Sequence, residues 1–155
     1  MFSCDFNELT SLPNDVPKYV DGGFYCQYNN LESLQGAPKY VGGNFDCDDN
    51  KLTSLQGAPK YVGGGFYCEY NELKSLQYAP KYVSDYFSCH NNKLESLQGA
   101  PKYVGGSFSC DSNNLTSLQG APKYVSGDFW CHNNTKKFTE KEVRTVCDVK
   151  GRVYV

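Results

Sequence analysis

The sequence predicts a mainly β, single-domain solenoid of seven turns of about 21 residues, with a parallel sheet and a small helical C-terminal cap. Three observations predict it. Cysteines fall at positions 4, 26, 47, 68, 89, 110 and 131, spaced by 22 residues and then by 21 five times over. Each has Phe two positions before it and Asn three positions after it. Leu follows the first six by five residues, then a second Leu in Ser-Leu, then Pro-Lys-Tyr-Val. So many coincident columns at a period in the 20–50-residue range are the mark of stacked, near-identical units.

Within a turn, Phe-x-Cys alternates, so Phe and Cys share one face of a strand of three or four residues and the residue between them points outward. The remainder, as in Leu52-Thr53-Ser54-Leu55-Gln56-Gly57-Ala58-Pro59-Lys60-Tyr61-Val62, is too broken by Gly and Pro for a regular helix. It is expected to return along the back as extended and turn structure. Phe, Cys, both Leu, Ala and Val then form the core ladders. The Asn column is expected to point inward, because one amide can both donate to and accept from neighbouring turns. In the Gly-Gly step, the second position (Gly22, Gly43, Gly64, Asp85, Gly106, Gly127) is predicted to take positive φ, since its residue set tolerates it.

The tail differs. Residues 1–134 are read as the repeat solenoid and 135–155 as the cap. Thr139-Glu140-Lys141-Glu142 fits a capping box. Val143, Val146 and Cys147 supply an apolar face, so a helix over about 140–147 is predicted, followed by a turn and a strand ending in Val153-Tyr154-Val155.

Phe-x-Cys-x-x-Asn-x-Leu resembles the leucine-rich-repeat signature, with Phe and Cys in the apolar strand positions and Asn in its asparagine ladder. Leu52-Thr53-Ser54-Leu55 followed by Ala58-Pro59 is similar to the short Leu-Pro repeats of bacterial effector proteins, which lack helices on the convex side. The Val-Gly-Gly-x-Phe segment is one residue longer than theirs. The Gly-Ala-Pro turns with the tail Thr139–Val155 look like uncharacterised repeat proteins of tailed bacteriophages and their hosts. These resemblances imply a leucine-rich-repeat-like solenoid that binds other molecules, and, for a phage protein, an inhibitor of a host or defence protein in the host cytoplasm.

Composition narrows the function. The formal charge of −2 does not fit a general nucleic-acid binder. No apolar run approaches the roughly 18 residues of a membrane span. The opening Met1-Phe2-Ser3-Cys4-Asp5 lacks signal-peptide character, so a cytoplasmic protein with reduced thiols is expected. Neither Cys-x-x-Cys nor Cys-x-x-His occurs, and the Cys spacing is only the repeat period; no metal or cofactor is expected. Cys89 and His90 are adjacent in a strand and face opposite sides, so they cannot form a nucleophile pair, and His90 and His132 lie two turns apart. Gly63-Gly64-Gly65 precedes a strand rather than a helix, the wrong context for a phosphate loop. An enzyme is not expected.

The turns diverge in three surface columns. The outward strand column reads Ser3, Tyr25, Asp46, Tyr67, Ser88, Ser109, Trp130. The position after Cys reads Asp5, Gln27, Asp48, Glu69, His90, Asp111, His132, and the next Phe6, Tyr28, Asp49, Tyr70, Asn91, Ser112, Asn133. Variation on an invariant scaffold marks a binding face, and tyrosines beside carboxylates suit protein recognition. The expected partner-binding residues are Tyr25, Tyr28, Asp46, Asp48, Asp49, Tyr67, Glu69, Tyr70, His90 and Trp130. An alternative is polyanion binding through Lys18, Lys39, Lys60, Lys81, Lys102 and Lys123. Residues 1–134 hold nine Lys and no Arg against fourteen Asp and Glu, so the six column lysines form a basic line against an acidic remainder. A structural, virion-type component is a further alternative. An unpaired first strand with exposed Phe2, Cys4, Leu9 and Leu12 suggests a homodimer through the N-terminal edge.

Overall fold

The computed structural model describes all 155 residues as a parallel β-solenoid of about seven turns of about 21 residues, closed by one short helix. Two parallel sheets run its length. The first has eight strands: Phe2–Ser3, Phe24–Tyr25, Phe45–Asp46, Phe66–Tyr67, Phe87–Ser88, Phe108–Ser109, Phe129–Trp130 and Val153–Tyr154. Identical positions pair, Phe24 with Phe45 and Phe45 with Phe66.

These strands are two residues long, not three or four. Inter-turn bonding continues past them, Cys26 N–H donating to Asp46 O at 2.8 Å and Tyr28 N–H to Asp48 O at 3.2 Å. The run ends because the second residue after each Cys bends the chain with left-handed dihedrals: Phe6, Tyr28, Asp49, Tyr70, Asn91, Ser112 and Asn133 all have φ between 45° and 54°. For large side chains such as Tyr28 and Tyr70 this conformation is strained. The hydrogen bonds on either side hold it.

The back is a second sheet, where only extended and turn structure was expected. It pairs Tyr19–Val20, Tyr40–Val41, Tyr61–Val62, Tyr82–Val83, Tyr103–Val104, Tyr124–Val125 and Asp148–Val149. The dipeptide splits between faces, Val buried and Tyr outward.

Between the sheets lies a single core of 38 residues, the predicted ladders of Phe, Cys, two Leu, Ala and Val. Successive Phe rings lie with centroids 5.1–5.6 Å apart, stacked from Phe2 to Phe108 and tilted by 40° between Phe108 and Phe129. All eight cysteines are free thiols. Those at 26, 47, 68, 89 and 110 donate S–H to a carbonyl of the next turn at 3.2–3.4 Å. Burial raises these thiols well above their ordinary pKa, which keeps them protonated and unreactive.

The asparagine ladder is inward as expected. Asn71 Nδ2 donates to the carbonyls of Cys47, Cys68 and Glu69 at 3.0–3.3 Å, and its Oδ1 accepts from Leu52 N–H at 2.9 Å. Each amide thereby ties its own turn to the one before it.

The Gly-Gly prediction is corrected. Positive φ falls in Gln-Gly-Ala, at Gly36, Gly57, Gly99 and Gly120 with φ of 85–98°, and not on the second residue of Gly-Gly. The first glycine of Gly-Gly instead sits at a close approach: a Cβ on Gly63 would lie 2.3 Å from Gly42 O of the preceding turn, a spacing that must adjust where Ser84 and Ser126 hold this position. In the fourth turn Tyr78 takes the Gly-type position with φ of 75°.

The first turn is also less bare than expected. Leu12 is buried, and Phe2, Cys4 and Leu9 are half-buried against the core, because the second turn covers their inner faces. The helix spans Glu140–Val146 with the full capping box of Thr139 and Glu142. Of its predicted apolar face, Val143 and Cys147 are buried but Val146 is 37% exposed; Phe138, just before the helix, fills the core instead. Arg144 Nη1 and Nη2 donate to Val149 O and Gly151 O at 2.6 and 3.0 Å, tying the helix to the last turn. The tail thus adds a strand to each sheet.

Candidate functional site

The outer face of the first sheet places three successive turns as a grid. Its outer rows are Tyr25, Gln27, Tyr28 and Tyr67, Glu69, Tyr70. Its middle row is Asp46, Asp48, Asp49. Aspartate is short and tyrosine long, so an acidic trough lies between two aromatic walls. The walls are two turn-spacings apart, roughly 10 Å at the ~4.8 Å strand separation.

Backbone geometry sets how each wall stands. The rings of Tyr25 and Tyr67 lie back over Gly23 and Gly65: a Cβ on Gly65 would meet the Tyr67 ring at 2.7 Å. Tyr28 and Tyr70 stand on the left-handed corner residues and are 46% and 51% exposed. The Tyr70 ring meets the His90 imidazole edge-on, with centroids 5.3 Å apart. His90 Nδ1 in turn lies 2.8 Å from Ser88 Oγ, and burial lowers its pKa, so the ring is neutral.

The trough is electrostatically unusual. Asp46 Oδ1 accepts from Asp48 N–H at 3.2 Å. Burial is the first cause raising Asp46 to about 6, Asp48 to about 7 and Glu69 to about 7. The charge of Asp46 adds to the rise at Asp48, and that of Asp48 to the rise at Glu69. Gln27 Oε1, Asp48 Oδ1 and Glu69 Oε2 are buried acceptors with no donor, all in the post-Cys column of consecutive turns. No cationic side chain of the chain pairs with the trough. No group of three or more His, Cys, Asp or Glu is disposed to hold a metal ion, and no helix is long and apolar enough to cross a membrane.

Trp130 is part of this face but not of the grid. It sits three turns from Tyr67, and Tyr86 bridges the gap, its ring 5.8 Å from Tyr67 and 6.1 Å from Trp130. Trp130 then stacks on Tyr154 at 5.3 Å. Under the Tyr86 ring, Ser88 and Ser109 of the outward column are 0% and 3% exposed, so those two positions are not surface as expected. Sequence reading missed Tyr86 and Tyr154. The signal for Tyr86 was available: the equivalent positions hold Gly23, Asn44, Gly65, Ser107 and Asp128, all small or short. Lys18, Lys39, Lys60, Lys81, Lys102 and Lys123 lie beside the second sheet, all exposed and none in an ion pair.

No protein-family model, curated protein or solved structure matches this chain.

Proposed function

We propose that this protein is a non-enzymatic interaction module that binds a partner protein through the outer face of the first sheet. The observation that carries this reading is the acidic trough walled by Tyr25, Tyr28, Tyr67 and Tyr70, with buried acceptors left without donors. Tyrosine anchors offer large contact area at small entropic cost, and the row of Asp46, Asp48 and Asp49 between them suits a partner that brings Lys or Arg. The leucine-rich-repeat-like signature and the likeness to phage repeat proteins support a finer reading, an inhibitor of a host or defence protein made by a phage.

Capture of partner from a cell lysate, with tagged wild type beside a Tyr67→Ala, Tyr70→Ala double variant, tests the face. The variant is expected to lose most of the partner while its melting temperature changes little, since Tyr70 is half exposed and Tyr67 lies outside the core. Equal capture by both proteins removes this face from consideration.

The trough also makes stability depend on pH. Carboxyls with raised folded pKa bind protons that the unfolded chain has already released. Their stabilisation is full below the ordinary carboxyl range of about 4 and is lost as pH rises through 6–7. Wild type is therefore expected to melt lower at pH 8 than at pH 5.5. Glu69→Gln should remove part of that difference, on the order of 1 kcal/mol given the water still reaching the site. A melting curve in which Glu69→Gln keeps the full wild-type pH dependence would refute the assignment.

A further inference from the structure

The second sheet presents a face of opposite character. From Gln to the residue after Val, five consecutive turns (35–42, 56–63, 77–84, 98–105 and 119–126) contain five Lys and not one Asp or Glu. Acidic residues reach the strip only at its ends, Asp15 and Asp21 in the first turn and exposed Asp148 beside Tyr124 in the last strand. The other carboxylates of these turns lie elsewhere on the solenoid, which is why the formal charge of −2 conceals this strip. The column lysines are exposed and have no carboxylate partner. Beside them stands a row of outward tyrosines, of which Tyr19, Tyr61, Tyr82 and Tyr103 are 73%, 49%, 67% and 41% exposed.

The tyrosine row is not continuous. Tyr40 stacks on Tyr61 at 4.8 Å and Tyr103 on Tyr124 at 4.9 Å, each pair within 4° of parallel. Tyr19 leans on Tyr40 and Tyr82 on Tyr103, the adjacent members of these pairs, giving two sets of three. Between Tyr61 and Tyr82 there is no ring contact, and the backbone pairing there is reduced to Val62 with Val83. The break falls in the turn where Tyr78 replaces the usual Gly, and Tyr78 is itself 53% exposed. Two exposed aromatic faces therefore border a gap in the middle of the strip, flanked by Lys60 and Lys81.

We propose that this face binds single-stranded nucleic acid, with phosphates along the lysine column and bases stacked on the free faces of Tyr61 and Tyr82. A regular cationic line with interleaved aromatic rings is what a single strand needs: the lysines track the backbone, and every base has a π-face for a ring to meet. Duplex DNA keeps its bases stacked inside and cannot use the tyrosines. Six lysines at ~4.8 Å per turn span roughly 24 Å, the length of about seven nucleotides at a stacked rise of 3.4 Å. A sulfated polysaccharide or an anionic membrane shares the negative charge but offers no aromatic plane.

Fluorescence anisotropy with a labelled single-stranded oligodeoxynucleotide of about 15 residues, at ~50 mM salt and upward, tests this. Binding is expected, with a log–log salt slope near −4 if all six lysines contact phosphate. Replacing Lys60, Lys81 and Lys102 by Gln should flatten the slope to about −2. Tyr61→Ala and Tyr82→Ala should each weaken binding about tenfold. The trough variant Tyr67→Ala, Tyr70→Ala should bind the strand as wild type does, so this result and the partner capture stand or fall separately. No complex at low salt overturns the proposal. So does binding that the tyrosine changes leave intact, or equal affinity for the duplex, for heparin or for phosphatidylglycerol vesicles, because each of these means charge adhesion alone. Circular dichroism of every variant checks the fold, and the lysine variants keep the test open should a tyrosine change unfold the protein.

Discussion

Asn71→Ala is expected to destabilise the fold by about 3 kcal/mol, measured by urea unfolding at pH 7. The loss is uneven across its four bonds. The carbonyls of Cys47 and Cys68 each accept from a second asparagine, Asn50 and Asn92, so both keep a donor when Asn71 is cut back. Leu52 N–H has no such reserve: Asn71 Oδ1 accepts from it at 2.9 Å, and Leu52 is fully buried. That orphaned donor, at about 1–3 kcal/mol, is the largest part of the effect, and the space left by the amide adds the rest. Asn71→Asp separates the two roles. Its one oxygen still accepts from Leu52 N–H, but the other faces three carbonyls at 3.0–3.3 Å where a donor stood. Asn71→Asp should therefore be at least as damaging as Asn71→Ala at pH 7 and should recover part of its stability at low pH, when the carboxyl can donate. Equal stability of Asn71→Ala and wild type would show that the ladder is not a structural tie.

Phe66→Ala is expected to destabilise by about 3–5 kcal/mol. The ring is fully buried and stacked on Phe45 at 5.2 Å and Phe87 at 5.4 Å. Its backbone is pinned on both sides, Phe66 N–H donating to Tyr86 O at 2.8 Å, so the neighbouring turns cannot close over the void. Position along the solenoid matters because each turn touches only its neighbours. A cavity in the fourth turn weakens the coupling of the two halves, and the unfolding transition of Phe66→Ala should broaden as well as shift. The same truncation at Phe2, which is half-buried at the first turn, should have a smaller effect and leave the transition sharp. A Phe66→Ala transition as steep as wild type would mean that the array unfolds as one unit even with its centre hollowed.

The two faces divide on what a single turn can reveal. The period, the inward Phe, Cys, Leu and Asn ladders, the capping box and the acidic row between tyrosines were legible because each depends on local alternation repeated without a break. Alternation assigns a side chain to the inside or outside of its own turn, and stacking in register multiplies that assignment seven times. Tyr86 lying over Ser88 and Ser109 was not legible, since the ring reaches a residue two turns away and buries positions that alternation marks as exposed.

Backbone dihedrals were the second thing that only the assembled turns decided. Gly-Gly reads as a site of positive φ from residue type alone, yet those glycines answer to the backbone of the preceding turn, 2.3 Å from where a Cβ on Gly63 would stand. The left-handed corner residues include Asp49, Asn91 and Asn133, which tolerate that conformation, but also Phe6, Tyr28 and Tyr70, side chains that propensity would not choose. They hold that conformation because the neighbouring turn fixes the hydrogen bonds around them. The second sheet has the same origin: Tyr-Val is too short to declare itself a strand, and it becomes one only when the next turn lays an identical dipeptide alongside it. Sequence by itself determined which residues face inward in every turn and that the lysine column stands apart from the carboxylates; the contact between turns decided where the chain bends, what the outer rings cover and that the back pairs into a second sheet.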